Sequence, residues 1–427
     1  MEIVNVIGAG LAGSEAALYL ARKGIHVRLF EMRPTKSTPA HHSDQFAELV
    51  CSNSLKSKNL DNACGLLKEE MALFDSVMIE ASRHTAVPGG NALCVDREQF
   101  SRYITDKIRA HPLIEVMNEE VADLPNGITI VATGPLTSES LSVTLRQKIG
   151  ESFLNFYDAS APIIEKDSIN MNIAYFKSRY EKGDNSYLNC PFTKDEYLHF
   201  YQELVEAQLA PIKDFEKKYF TACMPVEVIA KQGIDTLRHG PLKPRGLRKD
   251  SEHKPYAVVQ LRQDNVSASL YNLVGFQTNL TYGEQRRVFR LIPGLEKAEF
   301  VRYGLMHRNT YVNAPRVLNA DLSLKVDRDI YIAGQLSGVE GYVESAMSGL
   351  IVAVNIYQRL RSRPPLDFTH QTMLGALLYY LVHANPDNFS PMNANYGIFP
   401  RSKRYDREAF AAHSLSFLRD LIRQENL

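Results

Sequence analysis

The strongest constraint on this chain lies at its very start. Ile3 to Ile7 reads as a short buried strand that runs straight into Gly8-Ala9-Gly10-Leu11-Ala12-Gly13, and a helix follows at once. In such a turn the first glycine permits the tight bend, the second lets the backbone approach a pyrophosphate, and the third lets helix and strand pack closely. Leu11 to Lys23 is expected to be that helix, with its N-terminal amides and dipole turned toward phosphate groups and Gly24 ending it. A second strand, Ile25 to Phe30, finishes on Glu31, near the distance of about twenty residues at which a carboxylate accepts the hydrogen bond of a ribose hydroxyl. An acid there favours an unphosphorylated adenosine ribose. An ordinary βαβ turn is the plainest alternative, but strand, glycines, helix, strand and acid in register point to a dinucleotide site.

With 427 residues the chain has room for two or three domains and a large core. Lys plus Arg and Asp plus Glu number 49 each, so any nucleic-acid site is a local patch rather than a global field. No run approaches the roughly eighteen apolar residues of a membrane span, and strand one follows the N-terminus without a signal-like stretch. No membrane association and a cytoplasmic location are the expectation. The five cysteines, Cys51, Cys64, Cys94, Cys190 and Cys223, form no CxxC pair and no zinc spacing, which predicts thiols rather than a disulfide framework.

Met32 to Ser43 reads as a polar loop, and its His41-His42 pair lacks the companions a metal site needs, so no metal is expected. Phe46 to Ser57 then delivers Cys51 into a run of Ser, Asn and Lys whose donors suit a reactive thiol, although a buried structural thiol fits the same composition. Asn62 to Met78 has the apolar spacing of one helix. Val87 to Asn91 is a turn, Ala92 to Val95 a strand, and Asp96 the N-cap of a helix that carries Phe100, Tyr103, Ile104 and Ile108. Ile114 to Met117 and Ile128 to Ala132 are further strands, the second closing on Thr133-Gly134-Pro135.

From about Glu151 the βα alternation stops and aromatic residues become dense, until Asp329 to Gln335 resumes it with a strand ending in Gly334. The chain therefore divides into a first part, residues 1–150, an inserted α+β domain, 151–324, and a returning part with C-terminal helices, 325–427. Within the insert, Phe192 to Leu209 predicts a helix, and Cys223 stands before Pro225, whose ring stops regular structure from running through. Thr236 to Arg262 is basic, with Arg238, Lys243, Arg245, Arg248, Lys249, Lys254 and Arg262 against Asp250 and Glu252. It suits a solvated loop, or an extended RNA-binding loop with Tyr256 for base stacking. Gly338, Gly341 and a helix from Val343 to Leu360 supply a second Gly-rich helix start, and Gln371 to Val382 reads as another helix.

Over essentially its whole length the sequence resembles the folate- and FAD-dependent tRNA (uracil-5-)-methyltransferases of the TrmFO, or Gid, family. The motifs are Gly8 to Gly13, Glu48 to Leu55, Gly65 to Met71, Val95-Asp96-Arg97, Cys223 to Glu227, Tyr256 to Asn265, Met306 to Thr310 and Gly338 to Tyr342. The resemblance implies an α/β fold in which a Rossmann-like, GidA-like FAD-binding domain of the two-dinucleotide-fold type is interrupted by the insert. It implies FAD held by Gly8, Ala9, Gly10, Leu11, Ala12, Gly13, Glu31, Gly134, Gly334 and Gln335, with 5,10-methylenetetrahydrofolate as carbon donor and NADH or NADPH as electron source. The acceptor implied is a T-loop uridine of tRNA, with a related branch acting on 23S rRNA. Cys223 is implied to engage the uracil, Cys51 to be a second thiol near the flavin, and Tyr342 to lie beside the isoalloxazine. Gln335 replaces the Asp common after this glycine in such flavoproteins, which removes a charge but keeps a hydrogen-bonding group. An NAD(P)H-dependent flavin oxidoreductase on a small molecule, and a flavin-containing RNA scaffold without catalysis, are the competing readings. The oligomeric state is left open.

Overall fold

A five-stranded, all-parallel sheet stands at the centre, in the order Ile330–Ile332, Thr129–Val131, Ile3–Ile7, His26–Phe30, Ile114–Met117. The structure, a computed structural model, describes the chain apart from residues 1, 39, 151–152, 160, 180–186, 211–223, 250–253, 265–267, 305 and 400–405. Of residues 153–159, 306–309 and 388 it describes the backbone only. The sheet joins strands from both ends of the chain, so the α/β class read from the sequence holds, and its late strand is contributed by the return at Asp329.

The Leu11–Arg22 helix is buried from Ala12 to Ala21, because the sheet covers one side and the long Tyr342–Leu360 helix the other. Small residues permit this. A Cβ on Gly13 would stand 1.8 Å from the Gly8 carbonyl oxygen, and one on Gly349 would stand 2.1 Å from that of Ala12. Gly8 itself adopts φ +97°, a left-handed conformation that side chains resist, where the strand turns into the helix.

One continuous helix over 62–78 does not form. Asp75 takes φ 56° and splits it into Ala63–Ala72 and Val77–His84. The second helix restarts because Glu15, buried in the first helix, accepts from the amides of Val77 and Met78 at 3.1 and 3.0 Å. Glu70 does the same for the Met373–His383 helix, accepting from Met373 and Leu374 at 2.8 Å each. Burial pushes each of these two carboxyls up to about 7, against the pull of the donors they face.

Residues 163–302 build a six-stranded antiparallel sheet, in the order Tyr175–Phe176, Tyr187–Phe192, Ala257–Gln263, Leu270–Leu273, Ile163–Glu165, Phe300–Arg302. It has a core of its own, in which Tyr197, Phe200 and Leu204 of the Lys194–Glu206 helix pack on Leu188, Val259 and Leu273. That helix is shorter than the expected 192–209, since Thr193 and Glu196 close a capping box at its start and Ala207 is extended at its end. A two-stranded ribbon, Phe153–Ala159 with Met306–Val312, runs beside the Gly334–Ser337 turn and puts Tyr311 and Val312 into the core of the parallel-sheet part, and a C-terminal helix, Arg407–Glu425, covers Glu70 through Ser414. The Leu270–Leu273 strand ends just before Gly275, which turns the chain with φ 77°. No helix among the described residues is long and apolar enough to cross a membrane.

The crossing of the first and the Tyr342–Leu360 helices yields a test. Gly349→Ala forces a methyl against the Ala12 carbonyl, and overpacking of this kind costs about 1–3 kcal/mol. The thermal midpoint is expected to fall; an unchanged midpoint would show that the helices do not approach this closely.

Candidate functional site

The strand ends dictate where a ligand can sit. Glycine turns follow the Ile3–Ile7, Thr129–Val131 and Ile330–Ile332 strands at their carboxyl ends, and together they open a cleft of about 1090 Å3, its open mouth included. Gly8, Gly10, Leu11, Ala12, Glu31, Gly134, Gly334 and Gln335 line it, as do Arg33, His41, Val50, Tyr342 and Ser345. Ala9 and Gly13 do not. The Ala9 amide donates to Glu31 Oε2 at 3.0 Å, and Gly13 is the contact between helix and turn.

The wall is suited to a dinucleotide. The Leu11–Arg22 helix starts at Gly10 and the Tyr342–Leu360 helix at Gly341, both without a side-chain cap, so two helix N-termini bring residues to one cleft with their amides uncovered by side chains. A Cβ on Gly10 or on Gly134 would meet nothing within 4 Å, so both backbones face open space.

Glu31 is buried and held. Arg33 donates to its Oε1 from the amide at 3.1 Å and from Nε at 2.9 Å. Burial alone would raise this carboxyl, but the hydrogen bond and charge of Arg33 outweigh it and bring it below the ordinary range. Glu31 therefore stays an acceptor, as a ribose contact requires. Arg33 was not singled out from the sequence. It also ties down the following loop, through the carbonyls of Ser43 and Gln45 at 3.2 and 3.0 Å. His41 faces the cleft with Nδ1 2.6 Å from Thr38 Oγ1, and burial next to Arg33 lowers it to about 4, so it is neutral at physiological pH. Among the described residues no cluster of three or more His, Cys, Asp or Glu is arranged to hold a metal.

Cys51 lies at the rim of the cleft, next to the lining residue Val50. The Tyr342 hydroxyl accepts from the amides of Cys51 and Ser52, at 2.6 and 3.1 Å. Burial, with the Cys51 thiol beside it and against the pull of Arg97, pushes the Tyr342 phenol well above its usual range, so it remains protonated. Arginines from distant segments hold the same loop. Arg97 donates to the carbonyls of Leu49 and Cys51 at 2.7 and 3.1 Å while paired with Asp264 at 2.9 Å. Arg302 reaches the Val50 carbonyl, and Arg262 bonds Asn53 Oδ1 at 3.0 Å and the Ser52 hydroxyl.

Sequence reasoning put Arg262 in the basic loop, but it is a buried residue of the Ala257–Gln263 strand, where the alternation of apolar Val259 and Leu261 with polar Gln260 and Arg262 was the available signal. Arg238 likewise is committed, its guanidinium 3.6 Å over the Tyr256 ring and its Nε on the Tyr256 carbonyl at 3.0 Å. Lys243, Arg245 and Arg248 are exposed on the turns that follow. Cys223, and the basic residues Arg401, Lys403 and Arg404, lie outside the described residues. Cys51, Cys64, Cys94 and Cys190 form no disulfide with one another.

Comparison with known proteins adds three findings. A family profile described as Glucose inhibited division protein A matches residues 3–364. A Bacillus licheniformis protein named methylenetetrahydrofolate--tRNA-(uracil-5-)-methyltransferase TrmFO is 53% identical over 98% of this chain and 99% of its own length. A Listeria monocytogenes protein of the same name is 54% identical over 97% and 98%. Among solved structures, Aquifex aeolicus GidA superposes with TM-scores of 0.73 and 0.69 in two crystal forms, at 19% and 17% identity, covering 99% and 98% of this chain and 75% and 73% of that one. At that identity the likeness speaks for the fold alone.

The hold on the Cys51 loop is testable. Tyr342→Phe leaves the amides of Cys51 and Ser52 without their acceptor, and an unmet donor costs about 1–3 kcal/mol. A lower thermal midpoint and faster alkylation of Cys51, followed by peptide mass mapping, are expected. No change in either would mean that the phenol does not fasten the loop.

Proposed function

The chain belongs to the glucose inhibited division protein A family and to its TrmFO members, and from that membership we propose that it methylates C5 of a tRNA uracil, with a folate as carbon source and FAD as bound cofactor. The finer reading is that the target is the T-loop uridine, that 5,10-methylenetetrahydrofolate gives the carbon and that NADH or NADPH gives the electrons. The observation that carries the reading is the fastening of Cys51 to Tyr342, a residue of the cleft wall, which puts a thiol-bearing loop at the rim of a dinucleotide cleft.

In this reading the Gly10 turn and the helix starting at Leu11 receive the pyrophosphate, Glu31 accepts from the adenosine ribose, and Gly134, Gly334 and Gln335 border the flavin end. Bound and reduced, FAD supplies the two electrons that turn an exocyclic methylene into methyl. The remaining steps belong to the chain. Uracil C5 is a poor nucleophile, so the Cys223 thiolate adds to C6, forming an S–C6 bond and moving an electron pair to an enolate. C5 then attacks the folate methylene to form a carbon–carbon bond, and loss of the C5 proton to a base breaks the carbon–nitrogen bond, so that the folate nitrogen leaves with its electron pair and an exocyclic methylene remains. After the two-electron reduction of that methylene to methyl, the C5–C6 double bond re-forms and expels the Cys223 thiolate. Cys51 acts on the cofactor side, where the carbonyl contacts of Arg97 and Arg302 and the Tyr342 hydroxyl fix its backbone. Exposed Lys243, Arg245 and Arg248 contact RNA phosphates, with Arg238 bracing the segment on Tyr256. The Rossmann-like parts, 1–150 and 325–427, thus serve the cofactor and the insert, 151–324, serves the RNA.

The decisive assay incubates the protein with unmodified tRNA, 23S rRNA fragments, 5,10-methylenetetrahydrofolate and NADH, and reads nucleoside masses. Methyl on tRNA alone is expected; methyl on 23S fragments alone overturns the acceptor, and none on either overturns the activity. In the same system a tRNA with 5-fluorouridine at the target should form a covalent adduct that Cys223→Ala abolishes, since fluorine at C5 blocks the elimination. An adduct that survives in Cys223→Ala and vanishes in Cys51→Ala would exchange the two roles.

The cofactor assignment has its own test. Gly10→Glu points a charged side chain into the open space where the pyrophosphate belongs, so the variant should purify colourless while the wild type is yellow. Full FAD occupancy in the variant would remove the cleft from the account.

A further inference from the structure

Three aromatic rings are stacked at the surface of the six-stranded unit, with Phe300 packed against its core and Tyr282 outermost. Tyr282 and Tyr303 lie 4.9 Å apart at 19°, and Tyr303 and Phe300 lie 5.3 Å apart at 12°. Tyr282, at one end of the ladder, is 55% exposed, which is costly for a ring that packing does not need. The ladder is also rigid. Gln285, fully buried one turn into the Tyr282–Phe289 helix, accepts from the Gly304 amide at 2.7 Å and donates to the Gly304 carbonyl at 2.9 Å, which pins the residue next to Tyr303.

Charge stands beside it. Arg286 lies four residues after Tyr282, on the same helix face, and is exposed. Arg287 is paired with Glu203 and Glu284, and Arg290 with Glu299, whereas Arg286 has no ion pair among the described residues. The ladder is continuous with the proposed site, because Arg302, between Phe300 and Tyr303 in sequence, reaches the Val50 carbonyl beside Cys51.

We propose that Tyr282, with Tyr303 and Phe300 behind it and Arg286 beside it, is a stacking site for an unpaired RNA base near the target uridine. This rests on the RNA-methylating reading above and gives it a recognition element. Single-stranded RNA is bound by aromatic faces that take any base and by cations that meet the adjacent phosphates, and an open, pre-stacked tyrosine one helical turn from an exposed arginine has that composition. A pre-formed ladder loses little freedom when a further ring is added to it.

The test measures RNA binding and steady-state methylation with the FAD-loaded enzyme and an unmodified tRNA. Tyr282→Ala should weaken binding and raise KM about tenfold or more, with kcat and FAD content unchanged, and Tyr282→Phe and Tyr282→Trp should restore both. Arg286→Ala should lower the slope of log binding constant against log salt by about one, which Tyr282→Ala should leave alone. Wild-type KM in Tyr282→Ala, or failure of Phe and Trp to restore it, overturns the stacking site while leaving the methylation reading intact. Absence of RNA methylation by the wild type strikes the reading itself. Were the wild type to sediment as a dimer and Tyr282→Ala as a monomer, the ladder would be a contact between copies and the proposal would fall.

Discussion

The structure depends on one close approach, that of the Leu11–Arg22 and Tyr342–Leu360 helices, where Gly349 lies against the backbone of Ala12. Over three hundred residues separate these helices in the chain. Their contact lets the late strand Ile330–Ile332 join the early sheet, and it turns two uncapped helix N-termini into walls of one cleft. A side chain at Gly349 would push the helices apart and carry Tyr342 away from Cys51. Packing at the back of the cleft and the position of the thiol at its rim are therefore one problem.

A second set of long-range bonds works on the front. The Cys51 loop has little secondary structure of its own; its backbone groups are met by Tyr342, Arg97 and Arg302, and the side chains of Asn53 and Ser52 by Arg262. Arg97 belongs to the helix behind the parallel sheet, while Arg262, Arg302 and the Asp264 partner of Arg97 belong to the six-stranded unit. The loop thus sits where the two cores meet, and a shift of one against the other acts on the thiol's backbone directly. Asp264 answers the charge of Arg97 and Glu48 stands near Arg302, so these arginines hold the loop with part of their charge already met.

The dinucleotide turn was legible because every part of it is local: the bend at Gly8, the helix start at Gly10 and the acid at Glu31 follow one another within a single βαβ unit. The capping of the Arg97–Ala110 helix by Asp96 was legible for the same reason, and Asp96 accepts from the Gln99 amide at 3.0 Å. What escaped was set by partners far away in sequence. Apolar spacing across 62–78 is compatible with one helix, and only the buried Glu15, arriving from the first helix, makes a fresh start at Val77 the better solution. Arg262 looked like one more charge in a basic run until Asn53 and Ser52 were found at its end. Tyr342 was placed from family resemblance alone. No periodicity or composition says that its hydroxyl will meet the amide of Cys51.

The balance of 49 basic and 49 acidic residues looks at first unpromising for a protein that handles RNA. Internal use of charge changes the sum that a polyanion meets. Arg33 is spent on Glu31, Arg97 on Asp264, Lys56 on Glu344 and Arg287 on Glu203 and Glu284. These pairs are neutral at a distance. Lys243, Arg245, Arg248 and Arg286 remain exposed, and all four belong to the six-stranded unit, outside the sheet that forms the cleft. Because fields between exposed charges fade over roughly 10 Å at ordinary ionic strength, a phosphate responds to that local set and not to the total. A neutral chain can therefore offer local cations to RNA while the charges it needs for its own architecture are paired with one another.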